Sequence, residues 1–249
     1  MSQSGERQRP RNQSFLATFR RSIRRLKKNW FLSFLIDFVV IVGTALVLSV
    51  AIKAFLIRSF FIPSGSMLET LQINDRIIVN VTAPEVTPIS RGDVVVFRDP
   101  GGWLGSIPDT PKEPIEELSD FILGTFGITA PDSAEHLVKR VIGLPGDTVV
   151  CCDVDGKLTI NGQPIDEPYI GPNAPSELEF SVTVPADHYW VMGDNRPNST
   201  DSRYHQDLPT MGFVPRSVVV GNAFIISWPF ENWTWLNNYP ETFRDVPNP

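Results

Sequence analysis

The sequence predicts a mainly β fold preceded by a single transmembrane helix. One apolar run, residues 31–57, is long enough to be a membrane span, and eight short runs rich in β-branched residues follow it. Gly, Pro, Asn and Asp separate these short runs, and many of the 22 prolines lie in the connections, where no N–H is needed for a sheet. With 249 residues and 42% hydrophobic content, the chain can bury one sizeable core, and we expect one or two domains.

The apolar run FLSFLIDFVVIVGTALVLSVAIKAFLI, residues 31–57, exceeds the roughly 20 residues that span a hydrocarbon core. Asp37 and Lys53 lie near its two ends, where their charges can reach the interfaces. A cleavable signal peptide has a shorter apolar core of about 7 to 15 residues and a small-residue cleavage site. We therefore predict a retained signal anchor that crosses the membrane once, because the later run VVVGNAFIISW is too short for a second span.

The distribution of charge predicts the orientation of this helix. Residues 1–30 contain nine Lys or Arg and one acid, Glu6, so they carry +8, whereas the whole chain carries −6. A basic segment beside an apolar run is typical of the cytoplasmic side of a membrane helix, and it favours membrane lipid over nucleic acid as a partner. We predict a cytoplasmic arm at 1–30 and an extracytoplasmic domain at 58–249 in the cell membrane.

The outer domain is predicted to be built from short strands with one helical insert. The predicted strands lie in DRIIVNVT, GDVVVFR, HLVKRVIGL, DTVVCCDV, KLTING, EFSVTV, HYWVMGD and SVVVGNAFIISW. The segment 114–127, PIEELSDFILGTFG, instead has apolar residues at helical spacing within a variable insert at about 99–135. We interpret it as an amphipathic helix, either partly buried or in contact with the membrane.

Histidine and cysteine offer little chemistry in this sequence. The three histidines, His136, His188 and His205, lie far apart and lack the spacing of zinc ligands, so no metal is expected. Adjacent side chains of a strand point to opposite faces, so a bond between Cys151 and Cys152 would be strained, and two separate thiols are expected.

A lysine can replace histidine as the base that activates a serine, provided that burial keeps its amine neutral. Lys139 lies within the predicted strand HLVKRVIGL, with Leu137 and Val141 on its own face. Arg140 points to the opposite face, where it can reach solvent or a carboxylate. Taken alone, Lys139 is also compatible with an edge-strand lysine that discourages aggregation. The polar loop MGDNRPNSTDSR, residues 192–203, offers carboxylates and hydroxyls that could support such a base.

Four fragments, IPSGSM, GDVVVFR, KRVIGLPGD and GDNRPNSTDSR, follow the anchor in this order. Together they resemble the bacterial type I signal peptidases, also called leader peptidases, over residues 58 to about 227. The resemblance implies a coiled, mostly antiparallel β-sheet and a serine endopeptidase with a Ser/Lys dyad. Such an enzyme removes signal peptides from exported preproteins after Ala-X-Ala sites, at the outer face of the membrane. We expect it to act as a monomer, without a cofactor.

The motifs of the resemblance imply a role for each matching residue. Ser66 would be the nucleophile, and Lys139 would be the general base and later the general acid. Ser64 would donate its hydroxyl to the oxyanion beside the backbone N–H of Ser66, and Ser199 would orient the Lys139 amine.

Further positions of the motifs would support the dyad or contact the substrate. Asp201 and Arg203 would form an ion pair near the lysine, and Asp194 and Asn195 would be structural members of the same loop. The positions that match shallow pockets for small side chains, at the first and third residues before the cut, are Ile62, Pro63, Leu71 and Val138.

Two alternatives to a signal peptidase are a self-cleaving repressor and a binding domain without catalytic activity. A self-cleaving transcriptional repressor uses a similar Ser/Lys fold, but it needs a DNA-binding segment and no membrane span. A catalytically silent, membrane-anchored β domain that binds a partner is the alternative, and it predicts a lost nucleophile or base, whereas Ser66 and Lys139 are both present. The aromatic run WPFENWTW near the C-terminus is either an interfacial patch or plain core packing.

Overall fold

A computed structural model describes residues 30–105 and 136–249. The chain divides into two units, residues 1–51 and 52–249. The basic arm up to residue 29 and the predicted amphipathic helix at 114–127 lie outside the described residues.

Helix α1, Trp30–Phe55, confirms the predicted apolar helix. Its segment Ser33–Val50 has a mean hydropathy of 2.4 and is not buried, and 26 residues extend about 39 Å, enough to cross a bilayer. It is the one helix of this kind in the described part of the chain. The helix ends two residues before the predicted boundary, because Ile57 already begins a strand that pairs with Asn80.

The unit that follows is built from two antiparallel sheets. The strands are β1 Ile57–Phe61, β2 Arg76–Asn80, β3 Val94–Arg98, β4 His136–Gly143, β5 Thr148–Cys151, β6 Leu158–Ile160, β7 Gln163–Pro164, β8 Phe180–Thr183, β9 His188–Met192, β10 Val214–Pro215, β11 Val219–Trp228 and β12 Thr234–Trp235. The larger sheet has the strand order β1-β2-β11-β3-β4-β9-β10, with β12 paired to β11, and the smaller sheet has the order β7-β6-β5-β8.

Each of the eight predicted runs contains one of these strands, so the mainly β fold is confirmed. The four strands that were not predicted are the two-residue β7, β10 and β12 and the strand β1, which follows the helix almost directly. Two-residue strands leave no alternating pattern to detect, and the residues of β1 continue the apolar run of the helix.

Strand β3 lies at the centre of the larger sheet and is buried on both faces. Val94 and Val96 pack into one apolar cluster with β2, whereas Val95 and Phe97 pack into another with β9. A strand covered on both sides explains why VVVF is continuously apolar rather than alternating. Strand β4, which carries Lys139 and Arg140, pairs with β3 on one side and with β9 on the other. The two basic side chains therefore lie inside the sheet rather than at its edge.

The prediction of two separate thiols is wrong. The structure joins Cys151 and Cys152 in a disulfide, with their Cα atoms 3.0 Å apart. The peptide bond between them is cis, and Cys152 already lies beyond the end of β5. The strand alternation on which the prediction depended therefore does not extend to Cys152.

Candidate active site

Ser66 lies in the loop that connects β1 to β2. The base of this loop is closed by Ile62, which donates its N–H to Asp75 O at 2.9 Å and accepts from Asn74 N–H at 2.9 Å. Next to the serine, Met67 O accepts hydrogen bonds from the backbone of Thr70 and Leu71, and the side chains of Met67 and Leu71 are buried. The turn is thus anchored in the core, while the backbone that carries Ser66 stays near the surface.

Lys139 and Ser66 form the centre of the site, although they lie 73 positions apart in the sequence. Lys139 Nζ donates hydrogen bonds to Ser66 Oγ at 2.7 Å and to Val138 O at 3.1 Å. The lysine is only 3% exposed. A buried amine next to a serine hydroxyl is the arrangement that proton transfer from the serine requires.

The environment of Lys139 lowers the pKa of its amine to about 8. Burial is the largest cause, since an ammonium loses its hydration there. The carboxylates of Asp201 and Asp194 act in the opposite direction, and the positive charge of Arg203 lowers the pKa further. A substantial fraction of the amine is therefore neutral in mildly alkaline solution.

Ser64 lies beside Ser66. Its Oγ is 3.4 Å from Ser66 Oγ, and the residue is exposed. An exposed hydroxyl next to the serine has room to turn toward an oxygen of a bound carbonyl group.

The loop that follows β9 holds the backbone of the Ser66 turn. Asn195 donates its N–H to Ser66 O at 3.1 Å and its side-chain Nδ2 to Gly65 O at 2.8 Å. Gly193 approaches so closely that an added Cβ would collide with Ser66 O and Ser199 Oγ. A glycine is therefore required at this position for the two segments to meet.

Asp201 and Arg203 form a buried ion pair with an Nη2 to Oδ2 distance of 2.8 Å. Asp201 also accepts the N–H of Gly193 at 2.9 Å, and Arg203 donates to Arg196 O at 2.9 Å. The pair therefore fixes the shape of the loop near the lysine. Both charges act on the Lys139 amine, since Asp201 raises its pKa and Arg203 lowers it.

The predicted hydrogen bond from Ser199 to the Lys139 amine is not formed. The Ser199 hydroxyl is buried and has no hydrogen-bond partner among residues 30–105 and 136–249. It packs against Gly193 instead, while the amine is directed to Ser66 and to Val138 O.

Sequence reasoning did not identify Arg140 as part of the site. Its guanidinium is fully buried and binds Asp194 through two hydrogen bonds, of 2.9 and 2.6 Å. Thr70 Oγ1 donates to the same carboxylate, so this ion pair connects β4, the loop after β9 and the turn that carries Ser66. The sequence allowed Arg140 to reach either solvent or a carboxylate, and only the fold selects the carboxylate.

A second buried pair also escaped the sequence analysis. Arg196 donates to both oxygens of Glu167 at 2.8 and 2.6 Å, and the hydroxyl of Tyr169 donates to Glu167 at 2.8 Å. Glu167 lies in a connection with no motif around it, so no signal in the sequence points to it. The pair ties the loop after β9 to the segment between β7 and β8.

The positions predicted to line substrate pockets differ in exposure. Ile62 and Leu71 are buried in the apolar cluster beneath the serine turn, Val138 packs against that cluster, and Pro63 is exposed. Leu71 has no accessible surface, so a direct contact with a substrate would require its neighbours to move. The assignment of these four residues to pockets stays a prediction.

Comparison with known proteins identifies the family. The family model described as "Signal peptidase, peptidase S26" matches residues 35–228, which include most of α1, Ser66, Lys139 and the loop after β9. The chain belongs to this family. This member of the family has the serine, the lysine and the apolar helix. The resemblance noted in the sequence is confirmed.

Relatives named signal peptidase I are identical to this chain at about a third of the aligned residues. The protein from Leptolyngbya laminosa is 36% identical over 189 residues, which cover 76% of this chain and 77% of that protein. The one from Mycobacterium tuberculosis is 38% identical over 218 residues, covering 79% of this chain and 74% of its own. A crystal structure of a signal peptidase I from Enterococcus faecalis is 28% identical and covers 54% of this chain and 95% of that chain, with a TM-score of 0.34.

Proposed function

We propose that this protein is a membrane-anchored serine endopeptidase that removes signal peptides from exported preproteins, with Ser66 as nucleophile and Lys139 as general base. The observation that carries the proposal is the 2.7 Å hydrogen bond between Lys139 Nζ and Ser66 Oγ at a buried lysine. Membership in the signal peptidase family and the relatives named signal peptidase I support the choice of substrate.

In the first step, the neutral Lys139 amine accepts the proton of Ser66 Oγ as that oxygen attacks the carbonyl carbon before the scissile bond. The carbonyl oxygen becomes negative and is stabilised by the Ser64 hydroxyl and the Ser66 N–H. The Lys139 ammonium then gives its proton to the departing amine of the mature protein. Water, deprotonated by the same lysine, then attacks the ester carbon. The bond to Ser66 Oγ breaks, Lys139 returns the proton to that oxygen, and the signal peptide leaves as a free acid.

The substrate is expected to carry small side chains, typically Ala, at the first and third positions before the cut. Pockets formed near Ile62, Pro63, Leu71 and Val138 would select by exclusion, because larger side chains do not fit. The burial of Ile62 and Leu71 supports shallow rather than deep pockets, because both side chains are already packed in the core.

The test is cleavage of a preprotein with Ala at both positions by the full-length protein in detergent, with mass spectrometry of the products. We expect one cut directly after the Ala that occupies the first position before the predicted cleavage site. Replacing that Ala by Leu should slow cleavage at least about 100-fold, because overpacking a small pocket is costly. The matched control substrate carries Leu at the second position before the cut and should be cleaved normally. Binding of the preprotein without any cleavage would favour the silent binding domain instead.

We also propose that the catalytic unit lies on the extracytoplasmic side of the membrane, in accordance with the basic N-terminal arm. An aromatic patch of this unit contacts lipid. The members of this patch are 48% to 73% exposed, namely Trp228, Phe230, Trp233 and Trp235. Strand β1, which begins two residues after α1 ends, belongs to the same sheet as β11 and β12, which carry Trp228 and Trp235. Amphipathic rings of this kind concentrate at membrane interfaces.

Fluorescence quenching by brominated lipids can test this contact in full-length protein reconstituted into vesicles. In a Trp30→Phe background, which removes the indole at the start of the apolar helix, replacing Trp228, Trp233 and Trp235 by Ser should remove most of the quenching. The control is Trp103→Phe, since Trp103 is buried and contributes none. Unchanged quenching after the patch substitutions would contradict the contact with lipid.

A further inference from the structure

The C-terminal segment, residues 237–249, lies beyond the part of the chain that the family model matches. It is held at several points. Phe243 and Val246 are buried in the cluster that contains Trp190 and Met192 of β9. Pro247 O accepts hydrogen bonds from Asn161 Nδ2 at 2.8 Å and from Arg91 Nη2 at 3.4 Å. The segment therefore packs firmly on both sheets rather than trailing into solvent.

The start of this segment closes the surroundings of Arg140. Asn237 O accepts a hydrogen bond from Arg140 Nη1 at 3.1 Å, and the Tyr239 ring lies 5.3 Å from the guanidinium carbon. The ring of Tyr169 lies against the same guanidinium at 4.3 Å, and the two tyrosine rings touch, with centroids 5.1 Å apart. Since Arg140 has no accessible surface, Tyr239 and Asn237 form part of the wall that keeps water away from it.

Gly92 shows how close this packing is. Gly92 O accepts a hydrogen bond from Arg140 Nη1 at 2.6 Å, while a Cβ at Gly92 would collide with Asn238 O. Its φ of +87° also lies in the region that favours glycine. The C-terminal segment therefore rests directly on the backbone that binds Arg140.

We propose that the C-terminal segment is a positioning element of the dyad, which keeps the Arg140–Asp194 ion pair dry and so maintains Lys139 in a state that readily loses its proton. The inference rests on the proposed function, because it concerns how Lys139 acts as a base. Tyr239 is the residue through which the segment acts on the pair.

The direction of the effect follows from the charges around both groups. Lys139 faces Asp201, Asp194 and Arg203, and Asp194 favours its protonated form. Arg140 neutralises much of that influence by binding Asp194 directly. Water that enters where Tyr239 was would weaken this pair, so Asp194 would act more strongly on Lys139 and favour its ammonium form.

The other titratable groups around Arg140 do not reverse this direction. They are Tyr169, Tyr239 and Asp93. Loss of the tyrosine ring leaves Asp93 and Tyr169 in place. We therefore expect the pKa of Lys139 to rise when Tyr239 is lost.

The test compares the pH dependence of preprotein cleavage by wild type, Tyr239→Leu and Tyr239→Phe, all as full-length protein in detergent. For Tyr239→Leu we expect the rising limb of kcat/KM to move to higher pH by about half a unit to one unit, which makes cleavage roughly 3- to 10-fold slower at pH 7. The rates should converge at pH 10. Tyr239→Phe keeps the ring and should restore the wild-type profile, and Glu241→Gln, an exposed change in the same segment, should leave it unmoved.

A merely structural role predicts a different outcome. If Tyr239→Leu lowers cleavage by the same factor at every pH, or leaves it unchanged, the inference is overturned while the proposed function stands. Phe243→Leu loosens the same segment at a second point and should shift the pH profile in the same direction. It tests the inference if the Tyr239→Leu protein does not fold. Absence of cleavage by wild type would instead reject the proposed function.

Discussion

Replacing Ser66 by Ala or Lys139 by Met is expected to reduce preprotein cleavage by at least about 10³-fold, because a nucleophile and its base act as a unit and neither works alone. Each variant removes one partner of the 2.7 Å hydrogen bond between the two side chains. The double variant should be no slower than either single variant. Cleavage assays on purified full-length protein measure this directly, and a variant that retains more than a tenth of the wild-type rate would contradict the role assigned to its residue.

The cleavage activity of the wild type is expected to increase with pH. Since the pKa of Lys139 is lowered to about 8, kcat/KM should rise about tenfold per pH unit below pH 8 and level off above it. An ordinary lysine would shift the plateau to above pH 10. A profile that is flat between pH 6 and pH 9 would contradict a lysine base.

Lys139→Met should also make the folded protein more stable at pH 7, which separates loss of chemistry from loss of fold. The pKa of Lys139 is about 8 in the folded chain, whereas an ordinary lysine has a pKa of 10.5. Lys139 therefore destabilises the folded state fully below pH 8, and this destabilisation disappears above about pH 10.5. The difference corresponds to at most about 3 kcal/mol in the free energy of unfolding at pH 7. Chemical denaturation at pH 7 and pH 10 measures it, and the gain should shrink at the higher pH.

The second large effect is expected from Asp194→Ala, which leaves the guanidinium of Arg140 buried without its carboxylate. Breaking a buried ion pair by removing one partner typically costs about 3–5 kcal/mol, because the remaining charge is neither paired nor hydrated. Both side chains of this pair have no accessible surface. We therefore expect a large fall in the free energy of unfolding, together with slower cleavage because Asp194 also binds the serine turn through Thr70.

The pair Lys157–Asp166 supplies the matched control for this experiment. Its side chains are 43% and 84% exposed, and exposed pairs contribute about 0–1 kcal/mol. Asp166→Ala should therefore change the midpoint of chemical denaturation only slightly. Equal losses of stability in Asp194→Ala and Asp166→Ala would show that the buried network is not a special support of the site.

Local patterns in the sequence were sufficient for the helix and for the longer strands. The apolar run predicted α1 to within two residues of its end, and alternation or continuous β-branched residues predicted eight strands. The motifs singled out Ser66 and Lys139, whereas the alternation around Lys139 left both a buried lysine and an edge-strand lysine open, and the structure shows the buried one. These inferences succeed because periodicity and hydrophobicity act over a few neighbouring residues.

The sequence by itself thus determined the class of fold, the apolar anchor and the candidate pair of catalytic side chains. Only the tertiary structure decided that Lys139 Nζ meets Ser66 Oγ, that Arg140 selects Asp194, that the Ser199 hydroxyl finds no partner among the described residues, and that the C-terminal segment covers Arg140. Each of these contacts joins segments that are distant in the chain, and their geometry depends on strand order and register. Strand order and register are set by the packing of the whole domain, which no local pattern encodes.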